Sequence, residues 1–237
     1  MQPMKRQVDG SAVSILLVVA VAVVGALAPW RHAHAHGALA SPIARQYLCF
    51  QERGYDWPAD GSGIPGADCR QAYRETMDPW PFQQWNELSA NPQDMGDTLE
   101  KIKAAVPDGL LCAGGDVRKR GLDQATQPWR AQPVTPDAQG RLELVWDLTQ
   151  AHNPSWMRVF LSKPSYDGSR ALRWDDLEEI YNDDAPQSVP GTPYPTYTVK
   201  VPLPADRTGR AVLYHYWQRD DAGNEGFFNC TDIDIQR

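Results

Sequence analysis

The feature that most narrows the possible folds is a change of pattern at Arg141. From there the chain runs through short apolar stretches separated by Pro- and Gly-rich turns. RLELVWDL (Arg141–Leu148) places Leu142, Leu144, Trp146 and Leu148 on one face, and WMRVFLSK (Trp156–Lys163) does the same with Met157, Val159 and Leu161. Alternation of period two is the mark of a strand with one face buried. Further runs follow at Tyr197–Val201, Ala211–Trp217 and Cys230–Ile235. Several short strands with turn signals and few helices predict a mainly β chain folded as an immunoglobulin- or fibronectin-III-like β-sandwich.

The segment before Arg141 reads differently. After a first strand near His36, residues 51–109 mix Gly, Pro, Trp and Asp irregularly, and only Asp97–Val106 has the periodicity of a helix. This predicts a long, irregular, partly helical loop region after the first strand. There is no internal repeat and no linker long enough to tether a second module.

Residues 1–35 have the form of a secretory leader. Lys5 and Arg6 make a positive start, Ala12–Ala28 is uncharged and apolar, and Ala33-His34-Ala35 is a small-x-small cleavage signal. Cleavage there leaves residues 36–237 as a single secreted domain that begins at His36 and is not held at a membrane. The formal charge of −7 becomes more negative once the leader is removed. An acidic exported domain is a poor partner for nucleic acid or anionic lipid. Cys49, Cys69, Cys112 and Cys230 remain, an even number in an oxidising compartment, and they predict two disulfides with three possible pairings.

Exposure of His36 as a first residue has a chemical consequence. Its α-amino group and its ring Nδ1 are two nitrogen donors in one chelate, and one further imidazole makes three nitrogens in a T shape. Such a tetragonal all-nitrogen set suits copper(II). The second imidazole is His152 or His215, the remaining histidines. His215 lies within a strand, between Tyr214 and Tyr216, whereas His152 lies in the loop QAHNPSW, from which a side chain can project at the end of a sandwich. Location favours His152.

Collinear motifs extend this reading. His36-Gly37 with Ser41-Pro42, Arg45, Tyr47 and Cys49 forms the mature start. VPDGLLCAGG (Val106–Gly115) and RGLD (Arg120–Asp123) lie mid-chain. AHNPSWMRVFLSKPSYDGSRALRWDDLE (Ala151–Glu178) and WQRDDAGNEGFFNCTDIDI (Trp217–Ile235) follow. With these the chain resembles a bacterial lytic polysaccharide monooxygenase of auxiliary activity family ten, over essentially all of residues 36–237.

The resemblance implies one copper ion held by His36 and His152 in a histidine brace, with Phe227 on the axial side and Glu225 beside the position where oxygen reacts. It implies pairings Cys49–Cys69 and Cys112–Cys230. It also implies oxidative cleavage of a crystalline β-1,4-linked polysaccharide, cellulose or chitin, at C1 or C4, by a monomer using an external electron donor and O2 or H2O2. Two departures from the family pattern stand out: an interval from Trp217 to Phe227 that is one residue longer, and Gln150 where a small residue is common.

A flat crystalline substrate calls for a flat binding face, for which Tyr55, Trp57, Trp80 and Trp85 are aromatic candidates. A non-catalytic polysaccharide-binding protein or adhesin would share the sandwich but not need both histidines. A periplasmic copper carrier would commonly recruit more ligands, and after the leader only Met77, Met95 and Met157 remain.

Overall fold

The structure is a computed structural model that describes residues 36–52, 59–91 and 98–237. The leader, together with Tyr55 and Trp57, lies outside the described residues. One sheet has three strands in the order β1 (His36–Ser41), β4 (Arg141–Gln150), β7 (Thr196–Pro202). The other runs β2 (Ser89–Ala90), β9 (Gly226–Ile235), β8 (Gly209–Arg219), β5 (Ser155–Ser162), β6 (Leu177–Asp184), with β3 (Gln132–Val134) parallel to β9. Every other described pairing between these strands is antiparallel.

The apolar faces read from the sequence meet between the two sheets. Leu142, Leu144, Trp146 and Leu148 from β4 join Met157, Val159 and Leu161 from β5, with Tyr197, Leu213, Trp217, Phe227 and Ile233, in one buried cluster. The expected β-sandwich is therefore the fold.

The larger sheet is covered on its outer face as well. Phe160, Val212, Tyr214, Tyr216, Phe228 and Cys230 point the other way, into a second cluster with Ile64, Ala72, Tyr73, Phe82, Ile102 and Leu111 from the region before β4. β8 is consequently buried at every residue from Ala211 to Arg219. A strand covered on both faces loses the polar half of its alternation, which is why Ala211–Trp217 is a nearly continuous apolar and aromatic run.

That covering region is more helical than its sequence suggests. Besides Leu99–Ala105, which matches the predicted helix within its described part, it holds helices Arg45–Gln51, Ala67–Thr76 and Trp80–Gln83. The helix Ala67–Thr76 buries Asp68, Cys69, Ala72 and Tyr73. A carboxylate in the buried set hides the apolar stripe that periodicity detects. It can be buried because Arg130 Nε lies 2.8 Å from Asp68 Oδ2 and two backbone N–H groups donate to the same carboxylate. Helix Arg45–Gln51 buries Arg45 in a two-pronged pair with Asp232 of β9, at 2.6 and 3.0 Å. The edge strand β6, with the acidic sequence LEEIYNDD, also lacks a sequence signal; its backbone pairing with β5 makes it a strand, and its charges suit a sheet edge.

Two disulfides tie these layers together, Cys49–Cys69 within the covering region and Cys112–Cys230 between that region and β9. The second spans 118 residues of sequence, and by the chain-entropy estimate a closure of that size restricts the unfolded chain by about 4–5 kcal/mol.

His215 belongs to the core. It is fully buried on the sandwich side of β8, edge-on to Trp146 with centroids 5.0 Å apart, and Nε2 lies 3.3 Å from Thr231 Oγ1. Burial pushes its imidazole down to about 3. The unfolded chain takes up this proton near pH 6.5, so between these values the unfolded state binds more protons. The contribution of His215 is therefore complete above pH 6.5 and is lost as pH falls, by up to about 1.4 kcal/mol per pH unit. In urea denaturation, the stability difference between wild type and His215→Gln should shift by about 2 kcal/mol against the wild type from pH 7 to pH 5. A constant difference would show that the buried ring is not held neutral.

Candidate functional site

The two candidate histidines come to one end of the sandwich through strand register. His36 opens β1 opposite Gln150, the last residue of β4, and His152 follows two residues later. The chain at His152 is held on both of its backbone groups. Tyr197 Oη accepts from His152 N at 3.1 Å and donates to His152 O at 2.6 Å, while Ser155 Oγ donates to the same carbonyl at 2.8 Å. Ser155 Oγ in turn accepts from the indole of Trp217 at 2.7 Å. A loop residue is thereby positioned by the sandwich core.

Each imidazole faces a carboxylate. His36 Nε2 lies 2.9 Å from Glu87 Oε1, and His152 Nε2 lies 3.2 Å from Asp221 Oδ2. An ionised carboxylate only accepts, so a neutral ring beside it carries its proton on Nε2 and its lone pair on Nδ1. In His152 that second nitrogen is buried and has no hydrogen-bond partner. A ring held through one nitrogen by a carboxylate is an arrangement common at metal-binding histidine.

Phe227 supplies the apolar side. It is fully buried at the start of β9, stacked on Trp217 with centroids 5.1 Å apart, and it meets the His36 ring edge-on at 5.9 Å. It is thus a core aromatic that also borders the site. Glu225, just before β9, is partly exposed and sits 3.4 Å from Arg219 Nη1; its carbonyl accepts from Arg219 N. Arg219 also pairs with Asp221, so one guanidinium joins Glu225 to the carboxylate that touches His152. Partial burial raises the Asp221 carboxyl, but Arg219 and the N–H groups of Gly223 and Asn224 outweigh it and hold the group below the usual carboxylate range. Asp221 lies within the Trp217–Phe227 interval. Gln150 is exposed opposite His36, with its amide 3.5 Å from Ala151 O.

One expectation for the binding face is corrected. Trp85 is buried, stacked on Tyr47 with centroids 3.8 Å apart and packed near Phe50, so it cannot present a ring to a polymer. Trp80 is half-buried and covers the ammonium of Lys119 at 4.5 Å. Glu87, Asp221 and Tyr197 were not singled out from the sequence. Each is an ordinary residue type with no motif of its own, and only the contact with a histidine marks it. His215 is remote in environment from this end, as its buried contacts with Trp146 and Thr231 show. Among the described residues, Glu52, Asp68 and Cys69 also cluster, but Cys69 is in a disulfide and Arg130 neutralises both carboxylates.

A β-sandwich with one histidine opening its first strand, a second at the facing strand end and a buried phenylalanine against the first defines a recognisable class of site. The chain belongs to the lytic polysaccharide mono-oxygenase family: the family model described as lytic polysaccharide mono-oxygenase, cellulose-degrading, matches residues 36–233. It is 30% identical to the chitin-binding protein CbpD of Pseudomonas aeruginosa over 203 residues, 85% of this chain and 48% of that protein. It is 30% identical to a lytic cellulose monooxygenase of Streptomyces ambofaciens over 233 residues, 96% of this chain and 60% of that one. The chain thus spans about half the length of the Pseudomonas relative. Among solved structures, the fusolin spindle protein of Anomala cuprea entomopoxvirus superimposes with a TM-score of 0.75 at 29% identity, covering 85% of this chain and 90% of that one. Among the described residues no helix is long and apolar enough to cross a membrane.

The hold on His152 can be tested through stability. Tyr197→Phe removes one hydroxyl that both accepts from and donates to the His152 backbone, and should lower unfolding stability by about 1–3 kcal/mol in denaturant titration. No loss would mean that Ser155 alone orders this turn.

Proposed function

We propose that the chain is secreted, loses residues 1–35, and acts as a copper-dependent monooxygenase on a crystalline β-1,4-linked polysaccharide, cellulose or chitin. The observation that carries this reading is the register of β1 on β4, which sets His36 beside the strand end that bears His152. The donor set suits the metal: two imidazoles come to one end of the sandwich, and each ring meets a carboxylate through one nitrogen, leaving the other to donate.

His36 and His152 would hold one copper ion, with the α-amino group of a processed His36 as a third nitrogen. Bound there, copper supplies activation of O2 or H2O2 after reduction by an external donor, the chemistry that oxidises a sugar at C1 or C4 and breaks the glycosidic bond. The remaining work belongs to the chain's own residues. Phe227 keeps water from the apolar side of the site, since its buried ring against His36 offers no hydrogen bond. Glu87 and Asp221 orient the two imidazoles and set their tautomers. Arg219 holds Glu225 and Asp221 beside one another, and Glu225 would be the partly exposed carboxylate available there to hold a proton. Gln150, exposed opposite His36, adds an amide at the solvent-facing edge.

One titration, one pair of variants and one product analysis test this. Protein that retains even one residue before His36 should bind copper far more weakly than processed protein in calorimetry, because the amino donor is then an amide; equal affinity would refute the brace. His152→Ala should abolish oxidised products while His215→Ala spares them apart from its cost to stability, and the reverse would move the second ligand to β8. Mass spectrometry of soluble products from cellulose and chitin, with and without ascorbate, should show reductant-dependent aldonic acids or C4-ketosugars from one of them. Their absence with copper occupancy confirmed would leave a binding protein.

A further inference from the structure

The 3-10 turn Val117–Asp123 inverts the usual distribution of residue types. Val117 is 58% exposed, whereas Lys119, two residues on, is 4% exposed. Burying an ammonium is costly unless specific partners take up its donors, and leaving a valine in water forgoes an easy gain. The partners of Lys119 are therefore informative. Its Nζ donates to Glu87 O at 3.1 Å, lies 4.5 Å from the Trp80 ring centroid and 3.8 Å from Asp116 Oδ2.

The carbonyl it grips belongs to a short strap, Asn86–Ala90, that is tied to β1, β4 and β9. Asn86 O accepts from Gly37 N at 3.1 Å, and Asn86 Nδ2 donates to Thr149 Oγ1 at 2.7 Å. Leu88 O accepts from Phe228 N at 2.8 Å, and Ser89 pairs with Phe227. Between these anchors stands Glu87, whose carboxylate meets His36 Nε2. Fixing the Glu87 carbonyl fixes its peptide plane and hence the point from which its side chain reaches the ring.

We propose that Lys119 is a positioning residue for His36: held in the slot between Trp80 and the strap, its ammonium sets the Glu87 backbone and, through the Glu87 carboxylate, the orientation of the His36 imidazole. The structural half of this inference stands on contacts alone; its consequence for metal binding rests on the copper reading above. Lys119 touches no substrate and no reacting atom in this scheme.

The test uses protein processed and secreted from the full-length precursor. Lys119→Met keeps the aliphatic stem against Trp80 and removes the cation. In metal-free protein the His36 ring nitrogen signals, read by NMR, should move or broaden in this variant, while those of His215 stay in place. In the copper-loaded variant the electron paramagnetic resonance spectrum should shift, and copper affinity should fall by about ten-fold or more, as when a group that orients a ligand is lost. A folded Lys119→Met with unchanged His36 signals, spectrum and affinity overturns the proposal. If that variant does not fold, Trp80→Leu decides: it removes the ring beside the ammonium, and a shift of the His36 signals supports the proposal while unchanged signals overturn it. Failure of wild-type protein to bind copper would refute the copper reading, and the metal-free NMR comparison would still decide the role of Lys119.

Discussion

The antiparallel pairing of β1 with β4 is the constraint on which the rest depends. Strand pairing permits only a small set of registers, because with β4 held by β7 a one-residue slip of β1 would turn Leu39 out of the core that Leu144, Trp146 and Leu148 form. That register pairs Leu39 with Trp146 and Gly37 with Leu148, and a one-residue irregularity between Gly37 and His36 then sets His36 opposite Gln150. The site is in this sense a by-product of sandwich packing: the same apolar contacts that stabilise the two sheets bring the two imidazoles to one end.

Around that frame the molecule orders its site with buried polar contacts rather than with loops left to themselves. Tyr197 and Ser155 reach from the core to the backbone of His152, and Trp217 reaches Ser155. The strap Asn86–Ala90 is tied to β1, β4 and β9 and gripped from below by Lys119. On the other side of the site Arg219 binds Asp221 and Glu225 together. Directed bonds of this kind matter at a metal site because small errors in ring orientation weaken ligation.

Much of this was legible in the residues. The alternation in β4 and β5 named the faces that meet in the core, and the disulfide pairings implied by family resemblance are those found. His215, which lies within a strand, is buried against Trp146 in the core, whereas His152 follows the end of β4. The helix Ala67–Thr76 escaped notice because its buried face includes Asp68, which is tolerable only beside Arg130, a residue 62 positions away. Trp85 was read as a surface candidate because a tryptophan in an irregular segment gives no sign of which ring it will stack upon; Tyr47 decides that.

The sequence by itself determined the class of fold, the family and the histidines worth considering, because periodicity, cysteine number and collinear motifs are local or one-dimensional properties. Tertiary structure alone decided which ordinary residues serve them. Glu87, Asp221, Tyr197 and Lys119 carry no signature along the chain; they matter through distances of a few ångströms to groups far away in sequence. Those distances are set by how two sheets and a helical cover close on one another, and no local pattern encodes that closure.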